Sequence, residues 1–532
     1  MQNRLYSIIL LFFIFFSTQA QLRLGSDAIK LDRTIRLIND LYVDDVNSEE
    51  LTETAIRSML KELDPHSSYL NKEEVKEMNE PLQGNFDGIG ISFNMLTDTV
   101  YVMEVISGGP SQKVGIMPGD KFIYVNDTLI AGQKKTNKDI ISRLRGVKGT
   151  TAVVKVLRKG VEGLTEYRIV RDKIPITSID ASYMVNKNTG YIRLSRFGIS
   201  SLKEFHKSMA DLKSEGMQNL IVDLTGNGGG ILSTSTDITD EFLGKDKLIV
   251  YTEGKNQPRM TLNSTSKGLF HTGKLVVLVN EGSASASEIL SGAIQDWDRG
   301  VVVGRRTFGK GLVQRQLPLT DGTMIRLTVA RYYTPTGRGI QKPYNAGDPD
   351  EYNLDFVNRF NHGELLNADS IQFPDSLKYE TLINKRTVYG GGGIMPDVFV
   401  PIDTTVVSLL HRQLIAKGVL NRITIQEVDN NRKKLKQSFP TIKAFKKDYD
   451  ITPALIQKIK DSAEAEDIEW DNEDFDKSKE IIFTQLKALL ARDLYDASAF
   501  YRIINDIDDI FSKGLEVISN DELYNKILNG NS

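Results

Sequence analysis

The chain contains no cysteine. That absence removes disulfides, thiolate nucleophiles and cysteine-ligated zinc or iron–sulfur centres together. Histidine is nearly as scarce: there are five, at positions 66, 206, 271, 362 and 411, and none forms an HxH or HxxxH pair. A histidine-based metal site is therefore not expected. Neither sign of charge dominates. A formal net charge of −3 over 532 residues provides no electrostatic reason to bind nucleic acid or an anionic membrane. What is present is ordinary globular material, 40% hydrophobic and 26% charged, and the length implies about three to four domains.

The longest apolar run, residues 5–16, falls short of the roughly 20 residues a spanning helix needs. It lies in MQNRLYSIILLFFIFFSTQAQ, where Arg4 supplies a positive start and Thr18 and Ala20 stand at −3 and −1 of a cut before Gln21. The expectation is a cleaved signal peptide, residues 1–20, and a periplasmic or otherwise exported protein. A retained N-terminal membrane anchor is the alternative. With no cysteine near the cut, a lipid anchor is excluded.

Residues 21–82 read as a helical region: Ile29, Leu31, Ile35, Leu37, Ile38 and Leu41 recur at helical spacing, and EELTETAIRSMLKEL repeats the pattern. LDPHSSYL, residues 63–70, reads as a loop that ends the second helix, with His66 structural and a catalytic role as the alternative. Residues 83–172 change to short strands and glycine turns, with Val100, Val102 and Val105 alternating as half-buried strands do. Residues 173–402 alternate apolar strands with helices, the pattern of an α/β core. Residues 403–532 are charged and helical and carry no motif.

Block 83–172 resembles a PDZ domain, in GIGI at 88–91 and in GGPSQKVGIMPGDKFIYVN at 108–126. The resemblance implies that backbone N–H groups of Gly88, Ile89, Gly90 and Ile91 hold a peptide's terminal carboxylate while the peptide adds a strand to an open edge. A glycine-rich hairpin of another β domain is the alternative.

In the α/β block, GSASAS at 282–287 runs directly into EILSGAIQDW, whose Ile289, Leu290, Ala293, Ile294 and Trp297 are spaced as a helix. A serine at a helix start has unpaired N–H groups beside it, the arrangement an oxyanion hole needs, although such serines are commonly caps. LIVDLTGNGGG, 220–230, runs an apolar strand into a glycine cluster; its spacing is not GxGxxG and no Walker lysine follows. RTFGKGLVQ, 306–314, isolates Lys310 between two glycines. A desolvated lysine can serve as general base for serine, and a solvated turn lysine is the plainer alternative.

Taken in order, GNGGG, GSASASEI and GKG with a glutamine four residues on resemble the C-terminal processing peptidases, or tail-specific proteases. LDPHSSYL, the PDZ-like block, RYYTPTGRGIQ (331–341) and GGGIMPDV (391–398) match as well, over roughly residues 25–402. The resemblance implies a multidomain α/β fold: a PDZ-like β-rich domain before a crotonase-like peptidase core, flanked by helical regions. It places the nucleophile on Ser285, the general base on Lys310, the lysine-orienting residue on Gln314, and a further site residue, catalytic or supporting, on Asp296. Oxyanion donors would be Ala286 with Gly228 or Gly229, and Ser283 and Ser287 would be turn and cap residues. Protein or peptide substrates with free C-termini would be cut without metal or cofactor. A homodimer and an activating adaptor are left open. Two other classes remain: a non-catalytic scaffold binding exported peptides, and a crotonase-type lyase acting on coenzyme A thioesters.

Overall fold

The computed structural model describes residues 25–530 except Thr97, so the apolar segment at 5–16 and the cut expected before Gln21 lie outside the described residues. Among the described residues the first three helices are Ser26–Leu41, Ser48–Lys61 and Lys72–Gln83. The third starts in a capping box, with Asn71 Oδ1 accepting the Glu74 N–H at 2.9 Å and Glu74 Oε2 accepting the Asn71 N–H at 2.8 Å. It ends at Gly84, whose φ of 70° is a left-handed stop. LDPHSSYL is more than a loop. Its last residues, Ser68–Leu70, form a strand antiparallel to Met324–Tyr333, with Ser68 opposite Arg326.

The β-rich unit is an antiparallel sheet in the order Ile91–Leu96, Thr99–Val105, Lys121–Val125, Thr151–Leu157, Leu164–Val170, with Thr128–Leu129 also on the third strand. Alternation buries Val100 and Val102 against Phe122, Val154 and Ile169, whereas Val105 is only half-buried. Entry and exit are tied together where Asn85–Gly88 pairs antiparallel with Asp172–Pro175.

The core sheet has six strands, in the order Ile179–Met184, Thr189–Leu194, Asn219–Asp223, Leu275–Val279, Val301–Gly304, Val398–Phe399. The first pair is antiparallel and the rest are parallel. Its central strand, Leu275–Val279, is buried at all five positions, which is why it reads as an uninterrupted apolar run. Helices Ser201–Ser214, Leu232–Asp240 and Ala286–Asp296 cover one face through Phe205, Met209, Ile238, Leu290 and Ile294. A second sheet joins Met324–Tyr333 to Leu312–Pro318, Leu248–Gly254 and the Ser68–Leu70 strand, with Gln257–Asn263 outermost.

The helices after residue 403 do two different things. Those from Leu409 to Ile504 build a core of their own around Phe445, Ile459, Ile482 and Leu486, and Lys159 of the β-rich unit reaches that region, donating to Asn430 Oδ1 at 2.9 Å. Helices Asp509–Ser519 and Asp521–Leu528 instead cover the other face of the core sheet, packing Phe511, Val517, Ile518 and Tyr524 against Tyr191, Val276 and Val301. No helix among the described residues is long and apolar enough to cross a membrane.

Candidate active site

The buried strand Leu275–Val279 delivers the chain into a turn that three serines share, and their surroundings separate them. Ser283 is fully buried and donates its hydroxyl to Leu224 O at 2.8 Å; Ser287, equally buried, donates to Asn227 O at 2.8 Å. Both hydroxyls stitch the turn to the glycine loop after Asn219–Asp223. Ser285 is only half-buried and takes φ 55° and ψ −110°. A non-glycine residue at positive φ costs about 1–3 kcal/mol and persists only where its neighbours over-determine it.

Two residues do that. Glu288, fully buried one turn into helix Ala286–Asp296, accepts the Ser285 N–H at 2.7 Å and the Lys310 N–H at 2.9 Å on Oε2. Its Oε1 accepts the Gly309 N–H at 2.7 Å and the Thr307 hydroxyl at 2.6 Å. Burial holds this carboxyl above its ordinary range, against the four hydrogen bonds that pull it down. All four partners are donors, so the pocket is built for the carboxylate. Tyr332, from the strand Met324–Tyr333, directs its hydroxyl to the carbonyls of Ser285, at 3.1 Å, and Lys310. The serine turn and the lysine loop are thus clamped through N–H groups by one side chain and through carbonyls by another.

Lys310 precedes the strand Leu312–Pro318 and, with Ser285, lines a cleft of about 500 Å³. Among the described residues its ammonium has no ion pair or side-chain hydrogen bond. Burial pushes its pKa down to about 8, and the charge of Arg326 adds to the shift against Glu288 and Asp64. Gln314 lines the same cleft, at a bulge between Val313 and Gln314. Its amide nitrogen donates to Thr328 Oγ1 at 3.2 Å, and no hydrogen bond joins its side chain to Lys310 among the described residues. Thr328 in turn donates to Asp64 Oδ1 at 3.0 Å, which brings LDPHSSYL into the support of the site.

The glycine loop closes on the same turn. A Cβ added at Gly229, where φ is 101°, would lie 2.8 Å from Ala284 O and 2.9 Å from Ser285 Cβ, so only glycine permits this approach. The Gly229 N–H is held by Asn227 Oδ1 at 2.9 Å. Those of Gly228 and Ala286 have no acceptor among the described residues, and both residues line the cleft.

Of the residues expected at the catalytic centre, Asp296 alone is not brought to the cleft. It sits at the far end of helix Ala286–Asp296, unexposed, with Oδ1 2.7 Å from Arg338 Nη2 in an ion pair off the hydrogen-bonding line. Its Oδ2 accepts the Thr336 N–H at 2.9 Å and the Thr336 hydroxyl at 2.8 Å. His66 lies beside the site without lining it. Its Nε2 is 2.9 Å from the Tyr352 hydroxyl, and burial, assisted by Lys310, holds the ring pKa at about 3. No cluster of three or more possible ligands among the described residues is placed to hold a metal ion.

A second groove, of about 280 Å³, lies between the strand Ile91–Leu96 and the helix Asn137–Leu144, and Gly88, Ile89, Gly90 and Ile91 line it. Ile91–Leu96 is paired on one side only. The N–H groups of Ile89 and Gly90 have no acceptor among the described residues although both residues are buried.

Sequence reading missed Glu288 as a clamp, and it missed Tyr332, Asp64 and Arg326. Tyr332 and Asp64 lie inside the quoted segments RYYTPTGRGIQ and LDPHSSYL, whose matching order was the available signal. Arg326 had none.

Comparison with known proteins places these segments. Residues 188–351 match peptidase family S41, residues 88–167 the PDZ domain, residues 17–74 the activating protease CtpB N-terminal domain, and residues 410–496 a family of unknown function. A carboxy-terminal-processing protease of Bartonella bacilliformis is 35% identical over 304 residues, 56% of this chain and 69% of that protein. Carboxy-terminal processing protease CtpA of Bacillus subtilis is 31% identical over 334 residues, 62% of this chain and 71% of that protein. Among solved structures, the photosystem II D1 C-terminal processing protease is 26% identical, covering 60% of this chain and 91% of that one at a TM-score of 0.34.

Proposed function

Because this chain belongs to the carboxy-terminal-processing protease family of serine-type peptidases, we propose that it cuts exported proteins near their free C-termini with Ser285 as nucleophile and Lys310 as general base. The observation that carries this reading is the strained Ser285, flanked by two unclaimed N–H donors, in one cleft with a lysine whose charge is disfavoured.

Neutral Lys310 takes the Ser285 proton as Oγ attacks a substrate carbonyl, and the resulting oxyanion is received by the N–H groups of Ala286 and Gly228. Gly228 is favoured over Gly229 because the Gly229 donor is already held by Asn227. Collapse of the tetrahedral intermediate transfers the Lys310 proton to the leaving amine. Water then attacks the acyl-enzyme with Lys310 again as base. Gln314 orients the lysine through its amide oxygen, while its amide nitrogen is held by Thr328. Asp296 supports the helix from its far end. Residues 83–172 hold the substrate's terminal carboxylate at Ile89 and Gly90, and the division of labour follows the blocks 21–82, 83–172, 173–402 and 403–532. The N-terminal segment supports export, which delivers the enzyme to its substrates.

The test is labelling by a fluorophosphonate probe with peptide turnover measured alongside. Wild-type protein should be labelled at Ser285 and Ser285→Ala should lose labelling and turnover while keeping its fold. An unlabelled, inactive wild type would favour a scaffold.

A further inference from the structure

Arg326 stands near the start of the strand Met324–Tyr333, opposite Ser68 on one side and Gln316 on the other. Its side chain lines the cleft that holds Ser285, Lys310 and Gln314. Only its Nε is engaged, donating to His66 O at 3.3 Å. Among the described residues neither Nη makes a hydrogen bond and no carboxylate comes within ion-pair distance. The anion in its neighbourhood is Asp64, whose oxygens are already taken by the N–H groups of His66 and Ser67 and the hydroxyls of Ser67 and Thr328.

Two arginines of the core are engaged more fully. Arg299, also deeply placed, gives its guanidinium to the carbonyls of Phe242, Phe270 and Gly273 at 2.9, 2.7 and 3.0 Å. Arg359 serves Thr307 O at 2.8 Å and Asp355 Oδ2 at 2.9 Å. With both Nη groups unengaged, this half-buried guanidinium is free to take a planar, bidentate anion. The free fork of Arg326 faces the space a substrate must occupy to reach Ser285.

We propose that Arg326 is an anion subsite of the catalytic cleft, which binds a carboxylate of the substrate within a few residues of the scissile bond. This rests on the Ser285 reading above and adds a second point of recognition, separate from the groove at residues 88–91. The carboxylate has two sources, an Asp or Glu side chain or the free α-carboxylate of a chain cut very close to its end.

The experiment is a fluorogenic peptide series, C-terminally amidated, carrying Glu or Gln in turn at each position around the cut, with a second arm ending shortly after the cut as free acid or amide and run with Ile141→Asp in both enzymes to remove capture of a free end by the groove at residues 88–91. At one position, or in the free-acid arm, the wild type should prefer the charged peptide by about tenfold in kcat/KM, and Arg326→Gln should reduce that to near parity. Preference in the first arm identifies a side chain, and preference confined to the second identifies the α-carboxylate. If Arg326→Gln melts, Arg326→Met carries the same comparison. A wild type indifferent to charge in both arms, or a folded variant that keeps the preference, overturns the subsite. Fluorophosphonate labelling of Ser285 is read in the same samples. Labelled enzyme without charge preference sinks the subsite alone, whereas absent labelling sinks the Ser285 reading.

Discussion

Lys310 donates its backbone N–H to Glu288 Oε2 at 2.9 Å, so the loop that carries the amine is tied to the helix that Ser285 begins. The same oxygen takes the Ser285 N–H. A glutamine cannot reproduce this, because its amide nitrogen would face donors in place of one oxygen. Glu288→Gln should therefore lower turnover by about 100-fold through misplacement of reacting groups. It should also cost about 1–3 kcal/mol of stability for the donors left unmet. Turnover and thermal melting of the variant check this. A folded Glu288→Gln with normal turnover would show that the clamp is not needed.

The second prediction follows from the amine itself. Burial holds the Lys310 pKa down to about 8, and the proposed mechanism uses the neutral form as base. Turnover should rise with pH and pass half of its plateau near pH 8. Lys310→Arg should be nearly inactive because a guanidinium keeps its proton. Arg326→Gln removes a positive neighbour and should move the midpoint to higher pH. A flat profile between pH 6 and about 9 would remove the amine from the chemistry.

Much of this site can be read from the sequence because its parts are local. A serine entering a helix, a glycine cluster after an apolar strand and a lysine between glycines are each visible within a dozen residues. What joins them is not local. Glu288 meets Lys310 across 22 positions and Tyr332 meets Ser285 across 47, and nothing in either segment names its partner. The strand Ser68–Leu70 illustrates the same limit. Three residues after a proline read as loop, and become a strand only because Met324–Tyr333 offers them an edge. Likewise, the amphipathic helix Asp509–Ser519 is legible as a helix, but its place on the core sheet depends on Tyr191 and Val276, far upstream.

The third prediction concerns Asp296. It and Arg338 are both wholly unexposed and 2.7 Å apart, and Arg338 also reaches Gln295 Oε1 at 2.7 Å and Tyr389 O at 2.9 Å. Breaking a buried pair by neutralising one partner costs about 3–5 kcal/mol. Asp296→Asn should therefore melt well below the wild type yet, below its own melting temperature, keep its Ser285 labelling rate. A variant that melts normally and labels slowly would move Asp296 from support to chemistry.

The last prediction concerns the groove beside Ile91–Leu96. Its strand has a free edge, so a peptide can extend the sheet, and the unclaimed N–H groups of Ile89 and Gly90 lie where such a peptide would end. Buried donors without acceptors are costly in the empty groove and are satisfied by a terminal carboxylate. Next to them Ile91, Phe93, Ile141 and Leu144 supply an apolar wall, which fits a small or apolar last side chain better than Asp. Capture of the tail would keep the adjoining chain near Ser285 and reduce the entropic cost of reaching it. A chain with a free, apolar C-terminus should thus be cut about tenfold faster than the same chain amidated or ending in Asp. Ile141→Asp tests the assignment, because Ile141 is 38% exposed on the groove wall and its replacement leaves the packed interior of the unit alone. The variant should cut amidated peptide at the wild-type rate and lose the advantage of the free end. If the intact enzyme treats free and blocked ends alike, the groove has no part in choosing substrates.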